Sequence, residues 1–110
     1  MKMLNLNEIE RPTLTVVLRD DKRTKVEAEV PDVDQINRLR AMRAQMEGGD
    51  SEGKLSMLYA FVAELLSRNR QGLAFDADSL RDVYHVGIYD IIAIIKGFFE
   101  LITEIGAQKN

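Results

Sequence analysis

From position 88 to 105 the chain reads IYDIIAIIKGFFELITEI, and no other segment constrains the fold as strongly. At about 100° per residue, Asp90, Lys96, Gly97, Glu100, Thr103 and Glu104 share one polar arc of a helical wheel. Ile88, Ile91, Ile92, Ile94, Ile95, Phe98, Phe99, Leu101, Ile102 and Ile105 spread over about half the circumference. A helix this apolar must be covered on more than one side. Its own domain can supply that cover, or part of the arc can serve a client or a second copy of the chain. On the second reading Ile94, Phe98, Leu101 and Ile105 are the candidate partner-binding residues.

The remaining sequence sets the frame for that helix. A chain of 110 residues is one domain, large enough to bury a core unaided. There is no cysteine, which removes disulfides and thiolate metal sites and suits a reducing cytoplasm. Residues 1–54 hold ten Lys/Arg against eleven Asp/Glu, and residues 55–110 hold five against seven, so neither half has the basic excess that a nucleic-acid partner requires. The N-terminus lacks a signal-peptide apolar run, and the unbroken apolar run 91–95 is far short of the roughly 20 residues that span a bilayer. The expectation is a cytoplasmic protein with no membrane partner.

Residues 1–12 alternate weakly and end at Pro12, which reads as a flexible arm. From Thr13 the period becomes two. Leu14, Val16 and Leu18 alternate with Thr13, Thr15, Val17 and Arg19, and Val26, Ala28 and Val30 alternate with Lys25, Glu27 and Glu29. Around the polar turn at 20–23 this predicts a hairpin over 13–30 with one wet face, which must lean on helices or a further strand. Asp32 and Gln35 have capping-box spacing and predict a helix over 32–46, with a narrow apolar stripe of Val33, Ile36, Leu39, Met42 and Met46. Residues 47–54, with three glycines, form a linker. A helical region follows over 55–105. Its first helix buries Leu55, Leu58, Tyr59, Phe61, Val62, Leu65 and Leu66, with Gly72 as the expected C-terminal cap. Asp76 caps a short second helix, Phe75 and Leu80 have the spacing of a hydrophobic staple, and the 85–87 stretch breaks it before the last helix. The predicted fold class is α+β and helix-dominated, an N-terminal β-hairpin packed on three or four helices.

The groups that could do chemistry are few. The glycines at 48, 49 and 53 lack the Lys-Ser/Thr pair and preceding strand of a phosphate loop. His85 is the only histidine and has no positioned partner in sequence, so it reads as a turn residue. Asp76, Asp78 and Asp82 read as cap and first-turn acids, since the closing Glu of a calcium loop is missing. Arg19, Lys22, Arg23, Arg38, Arg40 and Arg43 are interleaved with acids and read as solvated charge. No hydrolase motif is present. The reading is a non-enzyme with no catalytic residue, metal or cofactor.

Several stretches resemble the tail assembly chaperones of long-tailed bacteriophages and prophages. They are residues 6–12 (LNEIERP) leading into a strand pair, 30–33 (VPDV) opening a helix, 65–70 (LLSRNR), Gly72, Phe75, 79–84 (SLRDVY) and the apolar helix from Ile88. The resemblance implies a protein that coats the aggregation-prone tape measure protein until tail tube protein subunits assemble around it, with no cofactor and no catalytic residues. It also implies a longer companion form made by ribosomal slippage near the end of the gene, for which Gln108, Lys109 and Asn110 would supply an A-rich message. The alternative is a small regulatory, antitoxin-like module that dimerises through its C-terminal helix.

Overall fold

The computed structural model describes residues 3–6, 12–46 and 52–107. Two strands and four helices follow one another: β1 (Thr13–Val17), β2 (Lys25–Glu29), α1 (Val33–Met46), α2 (Glu52–Ser67), α3 (Ala77–Asp82) and α4 (Ile88–Ala107). The fold is therefore α+β and helix-dominated, with the N-terminal hairpin the sequence predicts. The interior of the linker and residues 108–110 fall outside the described residues, as does most of the arm. α2 begins three residues earlier than expected, so 52–54 belong to the helix.

β1 and β2 pair antiparallel in the register Thr13↔Glu29, Thr15↔Glu27 and Val17↔Lys25. Their inner face carries Val26 and Ala28, fully buried, with Leu14 and Val16 partly buried. The turn is tied by Asp20, whose carboxylate accepts from the Thr24 backbone N–H at 2.7 Å and from the Thr24 hydroxyl. Arg23, in the left-handed region at φ 48°, completes the reversal. Beneath the sheet, β2 rests on α2 and β1 rests on α4. Gly97 allows the second contact, because a Cβ there would stand 3.1 Å from a Leu14 methyl carbon.

α2 and α4 form the body of the core. Val62, Leu65 and Leu66 of α2 meet Ile91, Ile95 and Phe98 of α4 in a single apolar cluster that also takes in Leu39 of α1 and Leu80 of α3. Tyr59 donates its buried hydroxyl to the Val86 carbonyl at 2.6 Å, fixing the turn from which α4 starts. Among the described residues, no buried side-chain polar atom lacks a hydrogen-bond partner.

The caps explain where the helices begin and end. Gln35 N–H donates to Asp32 Oδ1 at 2.8 Å and Asp32 N–H to Gln35 Oε1 at 3.1 Å, the reciprocal pair the spacing predicts. Asp76 and Ser79 repeat the device at α3. The end of α2 differs from expectation. The helix stops at Ser67, and Asn69 rather than Gly72 satisfies its carbonyls, donating to Leu66 O at 2.7 Å while bridging to Leu73. Gly72 instead takes φ 72° in the turn beyond, a conformation that favours glycine. α1 also differs. Val33 is exposed, and the helix is held by the buried Leu39 and Gln35 and by Arg38, which stacks 4.6 Å from the Phe61 ring and pairs with Glu64 at 2.8 Å.

Candidate functional site

The structure encloses three of the four residues singled out on the last helix. Phe98 is fully buried, and Leu101 and Ile94 are 5% and 7% exposed. All three belong to the cluster shared with α2 and the sheet, so the domain itself supplies the cover that the half-apolar wheel demands. They are not an exposed face. Ile105 lies in the last turns of α4, and its side chain is outside the described residues. Phe99 is half-buried beneath the Arg43 guanidinium, 5.2 Å from its ring centroid, and Ile88, also placed on the apolar arc, is exposed.

Exposed apolar side chains that border a concavity lie instead at the end of β1 and the start of α4. A groove of about 390 Å³ runs between them. Val16, Leu18, Val86 and Ile94 form its floor, and the exposed Val17 and Ala93 form its rim. Tyr89, 84% exposed, stands one turn before Ala93 on the same side of α4. An ion pair borders the groove. Arg19 Nε donates to Asp90 Oδ2 at 2.8 Å and its terminal Nη2 to Asp90 Oδ1 at 2.9 Å, and Asp90 Oδ2 also accepts from the Gly87 backbone N–H at 2.9 Å. One carboxylate thus caps α4 and clamps the strand end to it.

Those contacts hold the Asp90 carboxyl below its ordinary range, the Arg19 hydrogen bond first and the Gly87 N–H next. A carboxylate whose folded value is lowered adds stability above its unfolded value of about 4 and loses it as pH falls through the folded value. Asp90→Asn should therefore melt below the wild type at neutral pH, and the gap should narrow progressively as pH falls below the unfolded value of about 4. Melting curves across that range measure it; a gap that stays constant would show that the Asp90 charge contributes nothing.

The remaining chemical candidates take structural positions. His85 is exposed at φ 56° in the turn between α3 and α4. Asp76 caps α3 and Asp78 pairs with Arg81 at 2.7 Å. Arg68 lies 3.7 Å from Asp32, and Arg70 3.9 Å from Glu27. Among the described residues, no group of three or more His, Asp or Glu stands where it could hold a metal ion, and no helix is long and apolar enough to cross a membrane. Sequence reasoning missed the groove because its walls, 16–19 and 86–94, lie roughly 70 positions apart. The one local signal was Val17, an apolar residue on the wet face of an otherwise alternating strand.

No protein-family model, curated protein or solved structure matches the chain.

Proposed function

We propose that the protein is a non-enzymatic binding protein acting as a tail assembly chaperone of a long-tailed phage or prophage. Its client is the tape measure protein, which it releases when tail tube protein subunits assemble. The observation that carries the reading is the apolar groove between β1 and α4, with Val17 and Ala93 exposed at its edge and Tyr89 exposed one helical turn from Ala93. The short sequence resemblances described above give the client its identity. A shallow apolar site with one flanking ion pair suits reversible capture, because little charge has to be desolvated on binding or rehydrated on release. Burial of Ile94, Phe98 and Leu101 within the domain weighs against the antitoxin-like alternative only so far as it would dimerise through those three residues.

Co-expression with the tape measure protein tests the proposal. The wild type should keep that protein soluble and co-purify with it. Tyr89→Asp combined with Ala93→Glu should abolish co-purification at unchanged melting temperature, since both sites are exposed and an acid in the first turn of α4 suits the helix dipole. A tape measure protein that aggregates equally with and without the wild type would end the proposal.

A further inference from the structure

We propose that the N-terminal arm of one copy, residues 3–6, adds to the open edge of β1 in a second copy and seats its leucines in the β1–α4 groove. The inference does not depend on the chaperone reading.

The first observation is an asymmetry between the two edges of the sheet. Leu18 N–H donates to Thr24 O at 2.8 Å, so in this register Leu14, Val16 and Leu18 turn their backbone groups toward β2. Thr13, Thr15 and Val17 turn theirs outward. The edge of β2 is occupied: Glu29 N–H donates to Arg68 O at 2.7 Å, Arg70 N–H to Glu27 O at 3.2 Å, and Glu27 N–H to Gln71 Oε1 at 3.0 Å. Among the described residues, nothing pairs with the outward groups of β1. No Lys, Pro or other charged residue within 13–17 guards that edge, although natural edge strands commonly carry such residues against pairing.

The second observation is the arm. Met3, Leu4 and Leu6 are 89%, 77% and 61% exposed, the largest concentration of uncovered apolar side chains among the described residues. Leu4 and Leu6 alternate with Asn5 and Asn7, the period of a strand with one apolar face, and no charge falls between Met3 and Asn7. Main-chain pairing to an edge with alternate side chains entering a pocket is how extended segments add to sheets. The groove supplies the pocket beside that edge.

A second copy is the occupant that fits both. In its own chain the arm lines no part of the groove and leaves its leucines in water. Residues 7–12 join the arm to β1, and six residues reach about 20 Å when extended, enough to cross to a neighbour. Each copy carries one arm and one edge, so a two-fold exchange satisfies both and closes at the dimer.

Sedimentation of the full chain over a concentration series, with melting curves as the folding control, tests this. The wild type should reach twice the monomer mass at high micromolar concentration. Leu4→Asp combined with Leu6→Asp should weaken the dimer by at least about tenfold, the scale of exposing one or two leucines, without moving the melting temperature at concentrations low enough for both proteins to be monomeric. Thr15→Pro, which removes one outward N–H and no ladder bond, should act likewise. If that variant fails to fold, the arm variant decides alone. Isotope-filtered spectra of a mixed labelled and unlabelled sample should connect the Leu4 and Leu6 methyls to Val17 and Ala93 of the other copy. A monomer at every concentration, a dimer indifferent to the arm variant, or contacts confined to one chain would each overturn the inference. Arm and client would compete for one groove, so the exchanged dimer is the client-free state; because the measurement involves no client, its failure would leave the chaperone proposal standing.

Discussion

Replacing Leu101 with Glu should unfold the domain, and any loss of partner binding should follow the folded fraction alone. Leu101 is 5% exposed, on the stripe of α4 that continues Ile91, Ile94, Ile95 and Phe98 into the core. The substitution removes a buried aliphatic side chain, worth about 2–5 kcal/mol when truncated. It also forces a carboxylate into apolar surroundings, where the group must neutralise or draw the structure open. A combined loss of about 4 kcal/mol or more is a large part of the roughly 5–15 kcal/mol that holds a domain of this kind together. Chemical denaturation measures the loss, and Leu101→Ala separates the cavity from the charge. A variant that stays as stable as the wild type yet loses a partner would return Leu101 to the interaction surface.

That outcome turns on a distinction a helical wheel cannot make. The pattern over 88–105 shows how much of α4 avoids water, and the structure confirms a long apolar helix there. It does not show which neighbour does the covering. The hairpin covers one flank through β1, with Gly97 admitting Leu14, and α2 covers another. Both contacts join segments distant in sequence. Local devices were readable for the opposite reason. The reciprocal bonds of Asp32 with Gln35 and of Asp76 with Ser79 span three residues, so their spacing alone specifies them. The hairpin register likewise follows from alternation, since a slip of one residue would turn Val26 and Ala28 to water. Where two local rules compete, sequence chose wrongly. Asn69 and Gly72 can each terminate a helix, and Asn69 prevails because it also bridges to β2 at Ala28. Beyond the single local sign at Val17 the groove was not legible in sequence, because Arg19 and Asp90 meet only once α4 has crossed beneath β1.

The largest pure packing effect should come from Phe98→Ala. Phe98 is the bulkiest fully buried side chain among the described residues, on the helix that lies between β1 and α2. Truncating a buried Phe costs about 3–5 kcal/mol, the upper part of that range applying where the surroundings cannot close over the cavity. Closure is difficult here. Gly97 already lets Leu14 press against the α4 backbone from the sheet side, and the α2 side is fixed by Val62, Leu65 and Leu66, all buried. The hydrogen bond from Tyr59 to the Val86 carbonyl holds α4 at its first turn and resists any slide toward the gap. For a domain near 100 residues each kcal/mol shifts the midpoint by about 4–8 °C, so a fall of about 15–40 °C is expected. Differential scanning calorimetry checks the shift, and an unchanged denaturant m-value would confirm that the native state lost stability without losing extent. A fall of only a few degrees would mean that the cavity collapses, and that α4 is held less firmly between sheet and α2 than its burial indicates.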